Sequence, residues 1–196
     1  MLTLIPKDIL RAIRITLVFA LIGGVIYPLA ITGISQLFFR DQANGSLIVQ
    51  NGQVVGSSLI GQNFSADKYF QGRPSATSTP YDASNSAGSN LGPTNPVLIN
   101  RVASSARAFR QANGLDPNAQ VPVDIVTTDF SGFDPDITEA AALLQVHRVA
   151  QARGLSDSRV RDLVEKHLHG RMLRIFGEPY INVLELNLAL DRGEAG

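Results

Sequence analysis

The 196-residue chain contains no cysteine, only three histidines, and no excess of either charge, with 17 Lys and Arg against 17 Asp and Glu. Without cysteine there is no disulfide framework, no thiol nucleophile and no Cys-ligated zinc site. A formal charge of zero argues against a basic nucleic-acid binder. The histidines make a poor metal set: His167 and His169 are two apart, which on a helix turns them to different faces, and His147 is distant in sequence. Catalytic signatures are missing too. No Gly-x-Ser-x-Gly elbow, Walker A loop or kinase-type glycine loop occurs. Ser65-Ala-Asp-Lys68 matches the Ser-x-x-Lys motif of penicillin-binding enzymes, but its companions fail, because the lysines are followed by Asp8, Tyr69 and His167. The chain therefore reads as performing no chemistry alone.

The most informative absence is local. No charged residue lies between Arg14 and Arg40, where ITLVFALIGGVIYPLAITGISQLFF runs from Ile15 to Phe39. As a helix this segment would be roughly 37 Å long, enough to cross a hydrocarbon core of ~30 Å. It is expected to be a single transmembrane helix. Lys7, Arg11 and Arg14 precede it against Asp8 alone, so the positive-inside bias places residues 1–14 in the cytoplasm and residues 40–196 outside. A cleaved secretory signal is the competing reading, but its apolar region would be ~7–15 residues, and no small-x-small pattern closes this run. Gly23, Gly24 and Pro28 lie inside it; the glycines suit close approach of a partner helix and Pro28 suggests a kink.

Once Lys7, Arg11, Arg14 and Asp8 are set aside, 14 basic and 16 acidic residues remain from Arg40 onward, and this slightly acidic stretch is long enough for one domain. Its expected class is α+β. Asn51-Gly52 between Leu47–Gln50 and Gln53–Gly56 predicts a hairpin with a type I′ turn, followed by a helical turn within Ser65–Phe70. From Gly72 to Pro96, 18 of 25 residues are Gly, Pro, Ser, Thr or Asn, which leaves a flexible linker or an ordered functional loop. Asn95-Pro96 starts a helix that Gly114 ends, with Arg101, Arg107 and Arg110 on its polar face.

Val121–Thr127 is β-branched and reads as a strand. Asp129, Asp134, Asp136 and Glu139 form an acidic cluster without the layout of a calcium loop, and Asp136 with Glu139 suggests a capping box. One helix is then expected from Glu139 to Arg153, stopped by Gly154, and another from a Ser156 or Asp157 cap toward His167. The run from Ile181 to Leu190 predicts a strand entering a short helix that completes the core.

Several of these segments carry a resemblance. GSSLIGQNF (56–64), YFQGRPSA (69–76), YDASNSAGSNLGPTNP (81–96), VPVDIVT, QVHRVAQARGL and GEPYINVLELNLALD (177–191) together resemble the C subunit of the bacterial Kdp potassium-transporting P-type ATPase, the KdpC family. The resemblance implies a non-catalytic subunit of a high-affinity potassium uptake complex in the bacterial inner membrane, with a periplasmic domain. Its implied partners are a potassium-channel-like subunit and a P-type ATPase subunit, with lipid around the helix. ATP and potassium are implied for the complex, and the family is described as a catalytic chaperone that raises the ATP affinity of the ATPase subunit. Arg73, Ser75, Tyr81, Asn85, Ser86, Asn90 and Asn95 match the family pattern and are candidates for docking or for ordering the loop. Residues 128–139 depart from it, since the family tends to have smaller residues there, with His near Asp136 and Pro near Glu139. A membrane-anchored envelope binding module or hydrolase unrelated to transport is the alternative.

Overall fold

The computed structural model describes residues 5–195, which divide into two compact units between Leu47 and Ile48. The first unit is built on the apolar run. Helix α1 (Ile5–Leu21) passes through one π-helical turn at Ile22–Ile26 into α2 (Tyr27–Phe38), and a short α3 (Arg40–Ala43) follows. The helix from Lys7 to Phe38 contains an 18-residue window of mean hydropathy 2.2, none of it buried, so it is long and apolar enough to cross a membrane. The π turn contains Gly23 and Gly24 and sits just before Pro28. Proline has no N–H to give the carbonyl four residues back, and a widened turn, with the Tyr27 N–H reaching Ile22 O, is one way to absorb that loss. Around both glycines the space is open within this chain.

The second unit packs α-helices with two small two-stranded sheets. Strands β1 (Leu47–Gln50) and β2 (Gln53–Ser57) form the expected hairpin, with Asn51 and Gly52 both at positive φ. Helix α4 (Pro96–Ala112) begins as expected, the Asn95 side chain accepting from the Val97 N–H at 2.9 Å. A 3₁₀ turn (Val123–Ile125), strand β3 (Asp136–Ile137), α5 (Glu139–Leu143), α6 (Val146–Arg153) and α7 (Asp157–Lys166) come next, then β4 (Ile181–Asn182) and α8 (Val183–Asp191). Strand β3 pairs antiparallel with β4, Asp136 opposite Asn182 and Ile137 opposite Ile181. The apolar C-terminal run is the central piece: Val183, Leu184, Leu186, Ala189 and Leu190 are buried, with Val146, Val149, Val160, Leu163, Val164, Phe70, Phe109 and Ile137 completing the core.

Three local expectations are corrected. The β-branched stretch 121–127 is not a strand: Val123–Ile125 forms a 3₁₀ turn, and Asp124 turns inward to accept the Thr138 N–H at 2.7 Å. The cap of α5 is Thr138, which accepts from the Ala141 N–H, and Asp136 belongs to β3. The helix expected over 139–153 is broken between α5 and α6, where the buried Gln145 amide is drawn to the backbone of Gln71. Ser156 caps α7 and Gly154, at φ +67, closes α6, as the sequence indicates.

Candidate functional site

The stretch Gly72–Asn95 has no sheet or helix of its own, so its backbone must be held by other means. Side chains from the core supply them at its entry. Asn187 accepts from the Phe70 N–H at 2.8 Å and donates to Phe70 O at 2.9 Å, a strand-like pairing made by one amide. Gln145 does the same for Gln71, at 2.8 and 3.1 Å. Arg148 donates to Asp67 O and Tyr69 O, and Arg153 to Lys68 O. The segment is thus clamped from Asp67 to Gln71 by four side chains of α6, α8 and the turn before α6.

Beyond this clamp the loop lies on the acidic loop 128–135. Arg73 pairs with Asp134 at 2.8 Å. Ser75 Oγ donates to Gly132 O at 2.6 Å and accepts from the Tyr81 N–H at 3.0 Å. Ser86 Oγ donates to Ser131 O at 3.1 Å, and the Ala87 N–H donates to the same carbonyl at 3.0 Å. Tyr81, held at φ +63, donates its hydroxyl to Arg73 O at 2.6 Å and packs so closely that a Cβ on Gly61 would fall 2.7 Å from its ring and one on Gly72 2.6 Å from its hydroxyl oxygen. Burial, then the charges of Asp129 and Asp134, push the Tyr81 hydroxyl up to about 12. Asp129 folds its own loop by accepting from Ser131 and Gly132. Burial opposes its charge, but those hydrogen bonds hold its carboxyl below the usual range.

The remaining candidates are elsewhere. Asn85 donates to Ser78 at 3.3 Å, Asn95 caps α4, and Asn90, at φ +50, lines a surface groove with Leu91, Leu98 and Phe130. Arg73, Ser75, Tyr81 and Ser86 therefore gather on one loop pair, Asn90 faces the same loop 128–135 across that groove, and Asn85 and Asn95 do not join them. Sequence reasoning passed over Gln145, Asn187 and Arg148. Asn187 had a signal, a lone amide inside an otherwise apolar VLELNLAL run, and the other two had none.

The acidic cluster is dispersed. Asp134 serves Arg73, Asp129 serves its loop, and Asp136 faces Asn182, with His169 and Glu185 nearby. Burial, then the neighbouring Asp134 charge, raises the Asp136 carboxyl to about 6. His169 stacks on Tyr180 and lies 3.5 Å from Glu185, while His147 pairs with Asp157. No group of three or more His, Asp or Glu side chains among the described residues is placed to hold a metal ion. Ser65 and Lys68 of the Ser-x-x-Lys sequence are not joined by a hydrogen bond, and Lys68 lies over the Tyr69 ring.

Fold and surface define a class: an α+β protein with one N-terminal helix fit to cross a membrane, whose long polar loops are ordered by hydrogen bonds rather than arranged around a reactive group. The family model described as KdpC, "K+-transporting ATPase, c chain", matches residues 9–192. The chain is 53% identical to the potassium-transporting ATPase KdpC subunit of Rhodopseudomonas palustris, covering 94% of this chain and 98% of that one. It is 52% identical to the KdpC subunit of Mycobacterium bovis (95% and 98% covered) and 50% identical to that of Bradyrhizobium diazoefficiens (96% and 98%). The chain belongs to the KdpC family. KdpC is an accessory subunit of the potassium-transporting ATPase and not its catalytic subunit.

Proposed function

We propose that this chain is the single-pass accessory subunit of an ATP-driven potassium uptake complex, assembled with a channel-like subunit that conducts K⁺ and a P-type ATPase subunit that hydrolyses ATP. The observation that carries this reading is family membership over residues 9–192, a span that includes both the apolar helix and the α+β domain. Lys7, Arg11 and Arg14 ahead of the helix favour a cytoplasmic N-terminus and a periplasmic domain. In that topology the domain is on the opposite side of the membrane from ATP. Any increase in the ATP affinity of the catalytic subunit would then pass through the membrane-embedded partners, as a coupling free energy between separate sites. The ordered loops Gly72–Pro96 and Thr128–Asp134 are the surface offered for docking on the extracytoplasmic face of the channel-like subunit.

Because the chain has no cysteine, its topology can be tested with single introduced thiols. Asn118→Cys, on an exposed turn of the domain, should react with a membrane-impermeant maleimide in intact cells, and Thr3→Cys only after lysis. The reverse pattern would overturn the orientation. Purification in mild detergent should yield the chain with two larger membrane proteins, and recovery of the chain alone would overturn the assembly.

A further inference from the structure

Residues His169–Tyr180 form an arm that leaves the core and returns to it. His169 and Tyr180 exchange both backbone hydrogen bonds at the base (2.8 and 3.0 Å), as Met172 and Phe176 do near the tip (2.9 and 3.0 Å). Every residue of the arm is exposed, and a Cβ added at Gly170 or Gly177 would meet nothing within 4 Å. Yet the tip is apolar: Met172, Leu173, Ile175 and Phe176 are 72%, 77%, 72% and 61% exposed. Contiguous exposure of large apolar side chains on an ordered element marks an interaction site.

The turn chemistry points the same way. Leu173 and Arg174 are both at positive φ (51° and 63°), and the Ile175 N–H closes the turn on Met172 O at 3.1 Å. The other hairpin of this chain meets that requirement with Asn51-Gly52, the residues that tolerate it best. Leucine and arginine at such positions strain the backbone, so the tip spends stability to display these two side chains in a fixed shape. A fluid lipid surface gains nothing from a fixed shape, whereas a protein pocket does. The charge is one-sided as well. Arg171 is paired with Glu178 at 2.6 Å, and Arg174 makes no ion pair among the described residues.

We infer that the Met172–Phe176 tip is a docking element that seats in an apolar, acid-rimmed pocket on the extracytoplasmic surface of a membrane subunit of the same complex, Leu173 and Phe176 filling the pocket and Arg174 meeting the rim. This rests on the transport-complex reading above. The apolar helix of this chain would keep the arm close to membrane-embedded partners, so a contact too small to hold two free proteins together can still be occupied.

The test uses the assembled complex in native membranes, with p-benzoylphenylalanine in place of Phe176 and, separately, the double variant Leu173→Asn with Arg174→Gly. The double variant installs the better turn, so the arm stays folded while its display is removed. Irradiation should crosslink the chain to another membrane subunit, at an apolar stretch beside a carboxylate. The double variant should reduce the fraction of chain retained on its partners in detergent by about tenfold or more, as loss of a buried anchor does. Crosslinks only to lipid or to a second copy of this chain, or retention within twofold of the unmodified chain, would overturn the inference. If the unmodified chain itself carries no partners, the transport-complex reading fails instead, so the two failures are distinguishable.

Discussion

Replacement of Asn187 by alanine tests the idea that side-chain clamps, rather than a sheet, order the long polar loop. Asn187 is 1% exposed and Phe70 is fully buried, and the two peptide groups of Phe70 have their hydrogen bonds through that amide. Alanine would leave a buried N–H and a buried C=O without partners, at about 1–3 kcal/mol each. Entry of a water molecule into the space left by the amide would recover part of this, so the net loss is about 2–4 kcal/mol. For a domain of this size each kcal/mol moves the melting temperature by ~2–4 °C, which gives a drop of about 5–15 °C. Asn187→Leu separates hydrogen bonding from packing, because leucine fills the volume but cannot pair with the backbone. The measurement is urea unfolding of the full chain in detergent, followed by the near-ultraviolet dichroism of Tyr69, inside the clamped entry, and Tyr81, beyond it. Both variants should be destabilised, with hydrogen exchange at residues 70–81 accelerated. If Asn187→Leu is within 1 kcal/mol of the unmodified protein, packing and not the clamp holds the loop, and the reasoning fails.

Other perturbations probe separate parts of the structure. Gly61→Ala places a Cβ 2.7 Å from both Asp134 O and the Tyr81 ring, and should cost about 1–3 kcal/mol in the same unfolding assay. Asn95→Ala removes the cap of α4 and should cost about 1 kcal/mol, with fraying of residues 96–99 seen by hydrogen exchange. Asp136 gives a pH dependence whose sign is fixed by its raised carboxyl. Between about pH 4 and pH 6 the folded state holds a proton that the unfolded state has released, so stability falls as pH rises through that window. Because the group is partly open to solvent, the change should be about 1–2 kcal/mol, and Asp136→Asn should abolish it. Below that window Asp129 and Asp191 act in the opposite sense, since both are held below the usual carboxylate range and their contribution is lost on protonation.

Legibility from sequence followed locality. Asn51-Gly52, Asn95-Pro96, Gly154 and Ser156 each act within a few residues, and each marks its element where the structure has it. The apolar run from Ile15 needed only length and the absence of charge. The stretch 121–127 misled because β-branched side chains favour a strand only until a tertiary contact decides otherwise, here Asp124 turning to the Thr138 N–H across 14 residues. The Gln145 break is of the same kind, its partner Gln71 being 74 residues away. For the loop Gly72–Pro96, composition left linker and ordered surface equally open. The groups that decide between them, the Asn187 and Gln145 amides and the Gly132 carbonyl that Ser75 reaches, are remote in sequence from the stretch they hold.

Growth on limiting potassium tests the central claim most directly. A host dependent on this uptake system and lacking this chain should fail to grow at micromolar K⁺, lose K⁺-stimulated ATPase activity in its membranes, and recover both when the full chain is supplied. Growth and K⁺-stimulated ATPase activity that persist without the chain would contradict its assignment as a working subunit of the complex.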